Sequence, residues 1–227
     1  MNSKIALAVI FVFFFNDAFA VNLYYGNYNE NILSDYIDIP IVAVTIDETT
    51  GIIGQCRIGI INEGEDGLIF DERTPLDDSA MRAALDAYSF AQGYTGKRLT
   101  YFISYDLNTR SVSGSSTGAS IASGMIALAM NKSYNQDYII SGAVSPAGDM
   151  LETGGLPIKI LAVASTTPKM IMPEQDEYIY EKREIDGKEF IYARKFNLTG
   201  YAAIAGVSLI KTENLLNMLP IILNAKV

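Results

Sequence analysis

Residues 113–118 read Ser-Gly-Ser-Ser-Thr-Gly, and they stand between a predicted strand (99–105) and a predicted helix (116–130). Glycines on both sides of a serine let a backbone and a substrate approach closely. The N-terminus of a helix supplies unpaired N–H groups and a positive dipole end, which stabilise an oxyanion. The string therefore suits a nucleophilic serine, Ser116, although a Gly/Ser-rich loop that caps a helix is also common without catalysis.

The chain contains no histidine and a single cysteine, Cys56. The lack of histidine excludes a Ser-His-Asp triad, a Cys-His pair and a His-ligated metal. It also excludes the α/β-hydrolase form of the G-x-S-x-G motif, whose base is a histidine. One cysteine excludes an intramolecular disulfide and a cysteine-based metal cluster. We expect neither a metal nor a cofactor, and a working Ser116 needs another base.

A lysine can be that base if burial lowers its pKa, so that the neutral amine exists near neutral pH. Lys159 stands alone in the apolar run 154–163, Gly-Gly-Leu-Pro-Ile-Lys-Ile-Leu-Ala-Val, and the other lysines lie in polar, turn-like or terminal contexts. A helix is predicted over 156–165. A lone lysine on such a helix either extends its amine to solvent or is desolvated, and the run by itself leaves both open.

Three segments together resemble the proteolytic domain of Lon proteases. They are 113–118, 138–144 (Tyr-Ile-Ile-Ser-Gly-Ala-Val) and 154–159 (Gly-Gly-Leu-Pro-Ile-Lys). In that family a serine loop is followed by a strand ending in Thr-Gly, then by a Gly-Gly-(Leu/Val)-x-x-Lys segment and a strand that ends in proline, like 170–173 here. The resemblance covers about residues 38–175.

The spacing of the motifs also matches the family, because Ser116 precedes Ser141 by 25 residues and Lys159 by 43. The resemblance implies that Ser116 is the nucleophile and Lys159 the general base. Ser141 takes the position of the family's threonine, whose hydroxyl orients the lysine. We expect the Lys159 amine within hydrogen-bond reach of the Ser116 hydroxyl. The loop that binds substrate and oxyanion would comprise Gly114, Ser115, Thr117 and Gly118.

The chain departs from the family at two acidic positions. Ser113 and Ser115 stand where an acidic residue usually precedes the serine, and Ala143 replaces the acidic residue that often follows the Thr-Gly pair. Asp149 or Glu152 could substitute. These departures keep one alternative open, an inactive Lon-like binding or scaffold protein. A self-processing Ser/Lys hydrolase is a further alternative.

By resemblance, the expected activity is that of an ATP-independent serine endopeptidase that hydrolyses peptides or unfolded segments through an acyl-enzyme. No Walker-type G-x-x-x-x-G-K-[ST] string occurs, so no ATPase module is expected in this chain. Lon domains assemble into rings, so a homo-oligomer is expected. The net charge of −9 argues against a nucleic-acid partner.

The N-terminus has the pattern of a secretory signal peptide. Lys4 is followed by the apolar run 5–15 and by Ala-Phe-Ala at 18–20, an A-x-A cleavage site. We predict a signal peptide or N-terminal anchor over 1–20, with 5–15 as a possible membrane tether. The location would then be extracytoplasmic, either secreted or membrane-anchored.

The predicted fold class is α+β, because strands and helices mix without regular βαβ alternation. The resemblance implies the Lon proteolytic-domain fold, related to domain 2 of ribosomal protein S5, with mixed sheets and packed helices. We assign 21–227 to one Lon-like peptidase domain. Predicted local features are an irregular leader (21–36), strands (39–46, 51–61 and 67–70), a helix from the Asp77 region to about Gln92, a strand (138–144), an extra hairpin (178–196) and a C-terminal amphipathic helix (213–223).

Overall fold

The structure, a computed structural model, describes residues 9–10, 21–26, 33–45, 47, 49–61, 66–107, 112–166 and 169–225. The predicted signal peptide lies outside these residues, apart from a two-residue strand, β1 (Val9–Ile10). Within the described part of the chain, no helix has the length and apolar character needed to pass through a bilayer.

The described elements are mixed along the chain, so the predicted α+β class is confirmed in this coarse form. The further strands are β2 (Asn22–Gly26), β3 (Leu33–Val44), β4 (Gly51–Ile61), β5 (Gly67–Asp71), β6 (Thr100–Asp106), β7 (Lys132–Tyr134), β8 (Tyr138–Ile140), β9 (Ala143–Val144), β10 (Met150–Leu151), β11 (Lys169–Pro173), β12 (Glu177–Ile185), β13 (Lys188–Phe196), β14 (Ser208–Thr212) and β15 (Leu223–Ala225). The helices are α1 (Asp78–Thr95), α2 (Gly118–Ala129), α3 (Leu156–Ala164), α4 (Leu198–Ile204) and α5 (Leu219–Ile222).

The largest sheet has six strands in the order β1-β2-β5-β6-β4-β3. Strands β3 and β4 form a long antiparallel pair, while β5 runs parallel to both β2 and β6. Ile39, Ile58 and Ile103 of this sheet are almost completely buried. β-Branched side chains favour such a pleated and covered surface, so the isoleucine-rich strands were predictable.

Helix α2 is buried along its whole length, from Gly118 to Ala129. It contacts α1 as well as strands β3 and β4. A helix that is apolar all round belongs inside a protein, and small residues allow the close approach seen here. At Gly124 a Cβ atom would meet Ile58 Cδ1 at 2.5 Å. The helix that follows the serine loop is thus held rigidly in the core.

Replacing Gly124 by valine is expected to destabilise the protein by about 1–3 kcal/mol, because the added carbons overpack a filled core. Urea denaturation measures this change. The control is the same substitution at Gly93, an exposed position of α1 where an added Cβ meets no atom within 4 Å. Gly93→Val should leave stability equal or slightly higher, since glycine is the poorer helix former. Equal losses at both sites would contradict the packing described for α2.

A second layer carries the lysine helix. Strands β14, β11 and β8 form a parallel sheet, and α3 and α4 share an apolar cluster with it. Leu156, Ile160 and Val163 lie on the buried face of α3, together with Lys159. The position of Lys159 is therefore determined by the packing of its apolar neighbours.

Three sequence predictions about local structure need correction. The predicted irregular leader (21–36) contains β2 and the start of β3, because β2 gains order by pairing with β5. The predicted strand 138–144 divides into β8 and β9 at Ser141 and Gly142. The predicted helix 213–223 is a 3-10 turn, the short helix α5 and β15. Pro220 explains the last difference: it lacks the N–H that a continuous helix would need, so it stands in the first turn of a separate short helix, α5.

Two other predictions are confirmed in the structure. Helix α1 begins after Asp77, whose carboxylate accepts from the Ala80 N–H at 2.8 Å, and ends at Gly96. The hairpin is present as β12 and β13, with Asp186 and Gly187 both at positive φ in its turn. Such a turn suits the twist of two antiparallel strands.

Candidate active site

Ser116 lies in the loop that leads into α2, which begins at Gly118, two residues later than the predicted start at Ser116. Gly114 has a φ of +88°, which a glycine adopts without strain. The Gly114 N–H donates to Ser79 Oγ at 2.9 Å, so the start of α1 holds the start of the loop. No hydrogen bond to another described residue uses the backbone N–H groups of Ser115, Ser116 and Thr117. These donors remain available at the N-terminus of α2.

The segment around Ser141 is joined to this loop by the backbone. The Gly142 N–H donates to the Ser116 carbonyl at 2.8 Å, and the Ala119 N–H donates to the Gly142 carbonyl at 3.0 Å. The Ser120 hydroxyl donates to the Ile140 carbonyl at 2.9 Å. The break between β8 and β9 is thus the point at which this segment binds the loop and α2.

Lys159 is 4% exposed, so the structure decides between the two options for the lone lysine in favour of desolvation. Gly155 precedes α3 with a φ of +69°, and a Cβ atom there would meet Val44 Cγ2 at 2.9 Å. The glycine lets the chain turn tightly against β3 before the helix begins. Pro157 follows in the first turn of the helix, where its missing N–H has no consequence.

The Lys159 amine donates to two hydroxyls: Ser141 Oγ at 3.1 Å and Thr153 Oγ1 at 3.0 Å. The contact with Ser141 agrees with the orienting role that the resemblance implies. The structure contains no hydrogen bond between Lys159 and Ser116, two residues that it describes, so the expected direct contact is not present in this state. Catalytic hydrogen bonds often tighten only when substrate is bound.

Burial lowers the pKa of Lys159 from its ordinary value of 10.5 to about 8, and the charge of Glu177 opposes that shift. Burial raises the pKa of Glu177, and the charge of Lys159 opposes that shift. Burial is the larger cause for both groups, because a low dielectric disfavours the charged form of each. A substantial fraction of Lys159 is neutral slightly above neutral pH.

One cavity of about 550 Å³ is lined by both Ser116 and Lys159. Its walls include the serine loop on one side and the end of β3 and the start of β4 on another. The residues around the lysine complete it: Glu152, Thr153, Gly154, Gly155 and Lys159. Ser141 is fully buried behind the lysine and Gly118 within α2, while Gly114 through Thr117 face the cavity.

Several polar groups near the lysine were missed by the sequence analysis. In the sequence, Thr153 is marked only as a hydroxyl residue directly before the Gly-Gly pair. No sequence pattern indicates a role for Gln175, since its contact with Thr153 spans 22 residues. The charge of Glu177 raises the pKa of Lys159, and this residue was not named from the sequence. Of the two carboxylates that were named, Glu152 lines the cavity, and the Asp149 carboxylate accepts from Ser145 and Asn214.

Over the described ranges, no group of three or more His, Cys, Asp or Glu side chains could hold a metal ion. A search with protein-family models gives no match to this chain, and a search of curated proteins gives none. The case for a function therefore depends on the geometry of the cavity and its residues.

Proposed function

We propose that the chain is an ATP-independent serine endopeptidase with a Lon-like fold, in which Ser116 is the nucleophile and Lys159 the general base. The observation that carries the proposal is the buried Lys159 amine, held by Ser141 and Thr153 in a cavity that Ser116 also lines. A desolvated lysine that shares a cavity with an otherwise baseless serine suits Ser/Lys chemistry, in which a neutral amine activates the hydroxyl.

The first half of the reaction forms an acyl-enzyme. The neutral Lys159 amine takes the proton of the Ser116 hydroxyl, and Oγ forms a bond to the scissile carbonyl carbon. The negative charge on the carbonyl oxygen is stabilised by N–H groups at the start of α2. The intermediate collapses as the C–N bond breaks, and Lys159 returns the proton to the departing amine.

The second half of the reaction regenerates the serine. Lys159, neutral again, takes a proton from a water molecule whose oxygen attacks the ester carbonyl. The C–O bond to Ser116 breaks, and the lysine returns the proton to Oγ. The products are a carboxylic acid and the free enzyme, with no net change in the protein.

The proposal predicts cleavage of an unstructured peptide in the absence of ATP. Products identified by mass spectrometry should show one bond hydrolysed per cut, and Ser116→Ala should abolish them. The control is Ser165→Ala at the exposed end of α3, where the hydroxyl only donates to the Ala162 carbonyl. Equal cleavage by the wild type and Ser116→Ala would refute Ser116 as nucleophile.

A second function is favoured by one observation, the absence of a hydrogen bond between Lys159 and Ser116, both described residues. An inactive Lon-like binding module would keep the cavity while the lysine served only to bridge Ser141 and Thr153. Such a module would bind peptide without cleaving it. Calorimetry with the same peptides, combined with the cleavage assay, separates the two functions.

A further inference from the structure

The two hydrogen bonds of Lys159 bear on the direction of its lone pair. A neutral amine has two N–H bonds and one lone pair, whereas the ammonium form has three donors. Ser141 and Thr153 accept from Nζ at 3.1 and 3.0 Å. When both N–H bonds of the neutral amine are used in this way, the tetrahedral geometry of the nitrogen fixes the direction in which the lone pair points. With a single acceptor, the amine could rotate about the Cε–Nζ bond.

Thr153 is itself held on both sides of its peptide backbone. Its N–H donates to Gln175 Oε1 at 2.9 Å, and its carbonyl accepts from Gln175 Nε2 at 2.9 Å. Thr153 and Gln175 are each only 9% exposed. Such paired hydrogen bonds in a buried setting fix a short loop firmly, because breaking either one leaves a polar group unsatisfied.

We propose that Thr153, held by Gln175, is a positioning residue that directs the lone pair of Lys159 toward the cavity lined by Ser116. This inference rests on the proposed function. It makes the Thr153 hydroxyl a second group that orients the amine, in addition to the Ser141 hydroxyl. Ser141 reaches the amine from the break between β8 and β9, and Thr153 from the segment before α3. Gln175 links that segment to the connection between β11 and β12.

The charged groups around the amine are unchanged by substitution of Thr153. Glu177 on β12 acts on Lys159 electrostatically, and Glu152 lines the same cavity. A hydroxyl acceptor stabilises the ammonium form more than the neutral amine, so its loss lowers the lysine pKa. A shift of the Lys159 titration in a Thr153 variant therefore reports the hydroxyl itself.

The test combines a rate with a direct titration. Thr153→Val should reduce the rate of reaction with a fluorophosphonate probe by about tenfold to a hundredfold at pH 8, because the base is misdirected. Nitrogen NMR of labelled lysine should show Lys159 titrating at lower pH than in the wild type. Thr153→Ser should restore both readouts. Thr95→Val, which removes a hydroxyl from the distant end of α1, should change neither.

Gln175→Met tests the link between the two residues. By itself it should slow the probe reaction, and added to Thr153→Val it should slow it little further, since both act through one hydroxyl. Fully additive losses would overturn the role of Gln175.

Thr153→Val with wild-type rate and titration would overturn the positioning role. A wild type that does not react with the probe, but whose Lys159 titration moves in Thr153→Val and returns in Thr153→Ser, would refute the proposed function and leave Thr153 only as a hydrogen-bond partner of the amine.

Discussion

Replacing Lys159 by methionine is expected to reduce the acylation rate of Ser116 by about 10²–10⁴-fold, the usual contribution of a general base. Methionine matches the length of the lysine stem and fits the apolar face of α3, but it cannot accept a proton. Stopped-flow reaction with a fluorophosphonate probe measures the loss. Lys169→Met is the matched control, because that lysine contacts Asp137 and the Tyr138 ring outside the cavity.

The same variant should remain folded. The shift of the Lys159 pKa from 10.5 to about 8 corresponds to about 3 kcal/mol of unfavourable folding free energy at neutral pH. Methionine removes that cost, although it leaves the Ser141 and Thr153 hydroxyls without their donor, which costs about 1 kcal/mol each. We expect the Tm at pH 7 to be no lower than that of the wild type. A folded Lys159→Met protein with an undiminished rate would remove the lysine from the mechanism.

The acylation rate is expected to rise about tenfold per pH unit below pH 8 and to level off above it. The sign follows from the chemistry: only the neutral amine accepts a proton, and burial places the pKa of Lys159 at about 8. Between pH 6 and 8 the rate should therefore increase by about fiftyfold, because the neutral fraction rises from about 1% to about half. The acylation rate measured as a function of pH, with a probe that does not itself titrate, tests this increase.

Glu177→Gln provides the charge test for this profile. The negative charge of Glu177 raises the pKa of Lys159, so its removal should move the midpoint to lower pH and increase the rate at pH 7. Glu152→Gln, which removes the carboxylate that lines the cavity, should move the midpoint less. A midpoint that rises in Glu177→Gln, or a flat profile in the wild type, would contradict the assignment of the base.

The same pKa predicts how stability depends on pH. Between pH 8 and 10.5 the unfolded lysine binds a proton that the folded one lacks, so the contribution of Lys159 to stability rises with pH in this window. That gain is lost as the pH falls from 10.5 to about 8, and at lower pH the unfavourable contribution of Lys159 is constant, because both states are then protonated. Lys159→Met should lack this dependence.

Much of the site was predictable because its signals are local. A glycine-flanked serine before an apolar helix predicts the loop, and a lone lysine in an apolar run restricts Lys159 to burial or snorkelling. The Asp77 cap and the Asp186-Gly187 turn likewise depend only on neighbours along the chain. Burial of the lysine needed the structure, because the packing of α3 against β11 and α4 decides it.

The rest depends on contacts between distant segments. Gln175 approaches Thr153 because of the course of the chain after β11, and no pattern near either residue indicates the pairing. Strand β2 forms by adding to β5, although its Tyr- and Asn-rich sequence resembles a loop. Pro220 is a local signal against a continuous C-terminal helix, and its effect outweighs the amphipathic pattern around it.

The measurement that tests the Ser116–Lys159 dyad most directly is mass spectrometry of the intact, folded protein after exposure to a fluorophosphonate. We predict one adduct per chain, located at Ser116 by peptide mapping, with no adduct in Ser116→Ala and very slow formation in Lys159→Met. A folded wild type that carries no adduct, or carries it on another residue, would contradict the proposed mechanism.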